Sequence, residues 1–174
     1  MNLRSTKGSA VVYTVIAAAM LVFVILPVFS AVVEKYIMNE KARVIKDAVD
    51  MANIGVYNAL NAGNLGKVNV DINYSKALEI FRRLLRKNLK LDAEMCPEDG
   101  SIAEGKVEIQ SLEIYLSGFP VTCTSGTVVD RPSVHSRVCV PVRPSLYRTA
   151  ILKLLGKQYI LRELHVDSEI PLNN

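Results

Sequence analysis

Few residues in this chain are able to do chemistry. It has two histidines, His135 and His165, and three cysteines, Cys96, Cys123 and Cys139. A thiol next to an imidazole is the minimum for nucleophilic catalysis, and Cys123 with His135 is the pair to weigh. The sequence gives that pair no third orienting group and no oxyanion site, and it carries no P-loop, GxGxxG, HExxH or GxSxG. The expectation is a protein that is not an enzyme, with no catalytic residue and no cofactor. The cysteines form no CxxC or other ligand-spaced array, and neither histidine has Cys, Asp and Glu around it at ligand spacing, so no metal site is expected.

An odd number of cysteines permits at most one internal disulfide. Cys123 and Cys139 sit on predicted strands flanking the turns near Gly126 and Asp130 to Pro132. Paired strands can bring two Cα atoms within the ~4.4–6.8 Å that a disulfide requires. The alternative is two buried free thiols, since cysteine often serves as a small hydrophobe, and pairing of Cys96 with either one is also open. Asp92, Glu94, Glu98, Asp99 and Glu104 crowd one stretch with Pro97, Gly100 and Gly105, but they lack the DxDxDG order with a closing Glu. They read as an exposed loop and not as a calcium site.

The elements that must hold these residues follow from periodicity. Lys106 to Leu116 alternates with period two through Val107 and Ile109, then shifts register at Leu112, which predicts a strand with a bulge. Val121 to Thr124 and Thr127 to Val129 read as short strands around a turn at Ser125 and Gly126. Ser133 to Val142 is a further strand, with Pro132, Pro141 and Pro144 placing it near a sheet edge or ending it. Tyr147 to Leu155 is a short apolar helix closed by Gly156, and Tyr159 to Val166 is the last strand. Upstream, Tyr74 to Leu89 predicts a helix with Tyr74, Ala77, Leu78, Phe81, Leu84, Leu85 and Leu89 on one face and Arg82, Arg83, Arg86 and Lys87 on the other. Asp71 or Asn73 is its cap, after a turn-rich connection with an alternating piece at Val68 to Ile72. Such a helix either docks on a sheet with its basic face in water or lies on an anionic membrane surface, and docking is the simpler pattern.

Everything else is set by Ser9 to Val33, 25 residues without a charge. At about 1.5 Å per residue this run spans roughly 37 Å, longer than the ~30 Å hydrocarbon core of a bilayer. A buried soluble helix would show a polar stripe, and here the only polar residues are Ser, Thr and Tyr. Pro27 lies within the run and should disturb the helix, which membranes tolerate. The helical pattern then continues through alternating charges, with a stripe of Ile37, Val44, Ile45, Ala48, Val49, Ala52, Val56, Tyr57 and Leu60, until Asn61 to Asn64. One long helix from Ser9 to Asn61 is expected, with Gly55 its weakest interior position. Its stripe is covered by the chain's own domain or in part by neighbouring subunits.

Arg4 and Lys7 precede the span with no acidic residue, so the positive-inside rule puts the N-terminus in the cytoplasm and all that follows Val33 outside it. A secretory signal peptide cleaved at Ala31 is the competitor, but its apolar core is normally 7 to 15 residues. Net charge +4 is dispersed, Trp is absent and aromatics are 6%, so the chain lacks a nucleic-acid-binding face.

The words KGSAVVY and EKYIMNEKARVIKDAV carry a resemblance. A basic leader ending Lys7-Gly8, then Ser9 and an unbroken apolar helix, resembles the class III signal of type IV pilin-like proteins. In particular it is similar to TadE-like proteins of tight-adherence (Tad) pilus systems. The resemblance implies cleavage by a prepilin peptidase after Gly8, with Ser9 as the new N-terminus, and partners among membrane lipid, other pilin-like subunits and pilus assembly proteins. Such pilins commonly carry Glu at the fifth mature position, which here is Tyr13. That departure weighs against registration through a buried carboxylate and against incorporation into a major filament.

The sequence therefore predicts an α+β protein: residues 1–8 a basic cytoplasmic leader, 9–33 a transmembrane helix, 34–62 its extracytoplasmic continuation, and 63–174 a head with further helices and an antiparallel sheet. The functional expectation is a single-pass, pilin-like membrane subunit of a surface pilus or secretion-related filament. The alternative is a non-polymerising single-span protein with an extracytoplasmic binding domain.

Overall fold

The computed structural model describes residues 7–62, 73–144 and 146–169, and its fold is α+β. The first six leader residues, the alternating piece at Val68 to Ile72 and the Asp71 cap lie outside the described residues. The chain forms two compact units, Met1–Asn39 and Glu40–Asn174. The division falls inside a helix, so the residues after Asn39 belong with the head.

In the first unit, helix α1 (Lys7–Met20) runs into a π-helical turn (Leu21–Ile25) and then into α2 (Leu26–Ala62). Pro27 explains the turn: it has no N–H for the Phe23 carbonyl and its ring would press on that carbonyl. The chain widens one turn earlier, and the Leu26 N–H reaches back to the Leu21 carbonyl. The apolar side chains here face outward, Phe23 being 78% exposed. Ala10–Ala59 is long and apolar enough to contain a membrane span, and its most apolar stretch has no buried residue.

In the second unit, the middle of the α2 stripe is covered by the chain itself. Ile45, Ala48, Val49, Ala52 and Val56 are buried, while Val44, Met51 and Ile54 are exposed. Helix α3 (Tyr74–Leu89) begins where the Asn73 side chain accepts from the Lys76 N–H at 3.1 Å. It ends at Lys90, which takes the left-handed conformation that glycine usually fills. Ala77, Ile80, Phe81, Leu85 and Leu89 form its buried face, and Arg82, Arg83 and Lys87 are exposed. The buried face is rotated slightly from the expected one, because Ile80 turns inward and Tyr74 outward.

The two helices touch closely at Gly55. A Cβ placed there would lie 2.3 Å from Leu84 Cδ1, so any larger residue requires the Leu84 side chain to shift. Asn88 Nδ2 also donates to the Ala48 carbonyl at 3.0 Å. Gly55→Val should therefore destabilise the head by about 1–3 kcal/mol through overpacking. Adding Leu84→Ala should recover part of that loss, because the clashing group is removed. Chemical denaturation of both variants checks the prediction; if the second change brings no recovery, Gly55 is not a packing glycine.

The main sheet has the order β1 (Glu108–Tyr115), β4 (Ser133–Val142), β5 (Ile160–Glu169), all antiparallel. A separate hairpin pairs β2 (Val121–Thr122) with β3 (Val128–Val129). Helix α4 (Leu146–Leu154) connects β4 to β5. The expected bulge in β1 is present as a register shift between Ile109 and Ser111. The expected edge position of the Ser133 strand is not: β4 is central. Pro141 is tolerated because it lies beyond the β1 ladder, whose last pair is Glu108 with Cys139. Its carbonyl accepts from the Glu104 N–H on that side at 2.8 Å, so its missing donor faces no strand.

Asp92 to Gly105 is also more ordered than an exposed loop. Leu91, Met95 and Ala103 are buried, and Asp92 Oδ1 accepts from the N–H groups of Glu94 and Cys96, each at 2.8 Å. The Asp92 carboxylate is used to fold the turn.

Period two assigns the sheet's faces. Val134, Ser136, Val138, Val140 and Val142 of β4 are all buried on one face. Helix α2 meets that side: Asn53 Nδ2 donates to the Val166 carbonyl at 3.2 Å and to Ser168 Oγ at 2.9 Å, while Ser168 donates to Asp50 at 2.5 Å. The opposite face of β4 presents Ser133, His135, Arg137, Cys139 and Pro141.

Candidate functional site

The chemistry lies on that opposite face. Antiparallel register puts Glu113, His135 and Asp167 side by side across the three strands, with Tyr115, Ser133 and Glu169 as the next row and Ser111, Arg137 and His165 as the row beyond. Directly opposed residues have Cβ atoms about 4.5–5.5 Å apart, so polar side chains in these rows must interact.

The hairpin supplies the missing member. Thr124 is held to the Glu113 carboxylate through both its hydroxyl and its N–H, and Arg137 Nη2 donates to Ser125 Oγ at 2.8 Å. Within the turn, the Cys123 N–H donates to the Thr127 carbonyl and the Gly126 N–H to the Cys123 carbonyl, each at 2.9 Å. Anchored on two sides, the turn presents the Cys123 thiol to the sheet. Cys123, His135 and His165 each offer a ligand atom, and these atoms lie within 4.8 Å of one another.

Asp167 joins the two imidazoles. Its Oδ1 is 3.0 Å from His135 Nδ1 and 3.0 Å from His165 Nε2. His135 Nε2 is engaged by Ser133 Oγ at 2.9 Å, and the ring packs edge-on against Tyr115 and His165 with centroids 5.1 and 5.6 Å away. His135 Nδ1 is buried without an aligned hydrogen bond from any described residue, despite its short distance to Asp167. Cys123 and His135 are buried, whereas the side chains of His165 and Asp167 are 23% and 33% exposed and form an open rim.

Burial holds the His135 pKa below the ordinary imidazole value; Asp167 pulls it upward and His165 pushes it further down. The Glu113 carboxyl is pulled up by burial, but the bonds from Thr124 and Tyr115 outweigh that and leave it below the usual range. The Tyr115 hydroxyl is pushed up, by burial first and then by its bond to Glu113. These shifts favour a neutral His135 ring beside an ionised Glu113.

The Cys123 and Cys139 pairing expected as one alternative is not present: all three cysteines are free thiols. Cys139 lies four residues along β4 from His135, roughly 13 Å at the usual strand rise, whereas Cys123 sits beside His135. Burial, with Glu108 and Glu163 nearby, pushes the Cys139 thiol up, which suits an inert core residue. The Cys123 and His135 neighbourhood weighed for catalysis does exist, with Ser133 and Asp167 as orienting groups for the imidazole.

At the other end of the chain, Lys7, Gly8 and Ser9 open α1, and Tyr13 is exposed on the same helix. His165, Asp167 and Ser133 were not readable as site residues. The only sequence signal was the spacing of two in Ser133/His135 and His165/Asp167, which puts each pair on one face of its strand. No family model, no curated protein and no solved structure matches this chain.

Proposed function

We propose that this chain is a single-pass membrane subunit of the TadE-like, pilin-like kind, held in the bilayer by residues 9–33 with the α+β head on the extracytoplasmic side. The observation that carries the reading is the helix from Ala10: its apolar side chains, half-buried Pro27 aside, are exposed through Val33. Water would not support that much open apolar surface, and a bilayer would. Arg4 and Lys7 then favour a cytoplasmic N-terminus, because basic flanks stay on the inner side. Cleavage after Gly8 exposes Ser9 and frees the apolar helix for lateral packing with other pilin-like subunits.

Tyr13 favours a second reading at the level of assembly. Without a carboxylate at the fifth mature position, the helix lacks the group that registers one pilin on the next, which suits a minor subunit or a non-polymerising anchored protein.

N-terminal sequencing of protein from membrane and shear fractions tests both. In cells with a prepilin peptidase the mature chain should begin at Ser9, and in cells lacking it at Met1. A chain that keeps Met1 beside an active peptidase removes the pilin-like reading and leaves the anchored binding protein. A soluble product beginning near Val32 would remove both.

A further inference from the structure

The geometry points to a metal site: Cys123, His135 and His165, completed by Asp167, bind one zinc-class divalent ion on the outer face of the sheet. The inference is independent of the pilin-like reading.

The donor set is that of zinc, a thiolate sulfur, two imidazole nitrogens and a carboxylate oxygen. The spacing agrees. With metal–ligand bonds of about 2.0–2.3 Å, neighbouring ligand atoms of a tetrahedral site are roughly 3.3–3.7 Å apart. Asp167 Oδ1 stands 3.0 Å from each of His135 Nδ1 and His165 Nε2, and all three Cys and His ligand atoms fall within 4.8 Å. Asp167 stands outside the set whose ligand atoms all lie within 4.8 Å, so closing a four-ligand site requires side-chain rotation.

His135 is the most telling residue. It is 3% exposed, and its Nδ1 lies 3.0 Å from Asp167 Oδ1 with no aligned hydrogen bond, while Nε2 is held by Ser133. A nitrogen in water's reach would not need a partner, but a buried one does. Metal-bound histidines characteristically have the other ring nitrogen fixed by an outer partner; in the tautomer with the proton on Nε2, Ser133 Oγ accepts from it and the Nδ1 lone pair is free for the ion. Two further contacts hold the ligands in place: Thr124 with Glu113, and Ser125 with Arg137, fix the turn that carries Cys123. The exposed rim of His165 and Asp167 gives the ion its way in. On binding, Cys123 enters as thiolate and its proton leaves to solvent.

Cobalt titration of the full-length, detergent-solubilised and chelator-treated protein tests this. One Co²⁺ per chain should bind with the intense visible bands of tetrahedral coordination and a thiolate-to-cobalt charge-transfer band, and Zn²⁺ should displace it. Cys123→Ser should abolish the charge-transfer band, and Asp167→Asn should weaken binding and shift the visible bands, because a charged ligand is lost. Cys139→Ser should change neither. Zn²⁺ should also raise the thermal midpoint of the unaltered protein and a chelator should reverse it, a readout that needs no variant to fold. Absence of saturable binding, a charge-transfer band that survives Cys123→Ser, or a midpoint indifferent to Zn²⁺ overturns the assignment.

Discussion

Two charges placed at mid-span, Ala18→Arg with Val22→Arg, should move the protein out of the carbonate-resistant membrane fraction. The run from Ser9 to Val33 holds 14 Val, Ile, Leu and Phe residues. At about 0.3–0.6 kcal/mol each on a membrane-insertion scale, these favour insertion by roughly 4–8 kcal/mol. Each arginine at the centre opposes it by about 2.5–3.5 kcal/mol, so the pair cancels most of that preference. Both sites precede Pro27 and lie outside the head, so folding of residues 40–174 should be unaffected. The matched control, Ala18→Leu with Val22→Leu, should remain fully membrane-bound. If the arginine pair stays integral, the helix is held by something other than its apolar surface.

What was legible in the sequence is what local physics determines. The bounds of α3 and β4 follow from an Asn cap and a 3.6-residue period in one case and from alternation closed by prolines in the other. The β1 bulge was legible because the apolar alternation itself changes phase between Ile109 and Leu112. Strand order was not, since pairing is a long-range choice: prolines argue for an edge, yet Pro141 occupies the central strand at a point its neighbour does not reach. The Cys123, His135, His165 cluster was invisible for the same reason. Its ligand atoms come from a hairpin turn and two strands, 12 and 30 positions apart, and only register brings them into one place. The long helix was readable as apolar, but which part of its later stripe is covered required the head: Ile45, Val49 and Val56 go inside, and Met51 stays out.

Phe81→Ala should lower the stability of the head by about 3–5 kcal/mol, the usual cost of removing a large aromatic side chain from a closed core. Phe81 is fully buried on α3, among the largest such side chains in the protein. A loss of that size is a large part of the ~5–15 kcal/mol that holds a typical domain together, and for about 130 residues it corresponds to a midpoint decrease of roughly 10–20 °C. Phe81→Leu should lose much less, because most of the volume is kept. Arg83→Ala, on the solvated face of the same helix, should stay within about 0.5 kcal/mol of the unaltered protein. The contrast discriminates between two uses of a basic amphipathic helix. If α3 presented its apolar face to lipid, truncating Phe81 would leave the unfolding midpoint unchanged; with Phe81 in the core, the midpoint drops. Thermal unfolding in detergent measures this, and an unchanged midpoint for Phe81→Ala would remove α3 from the core.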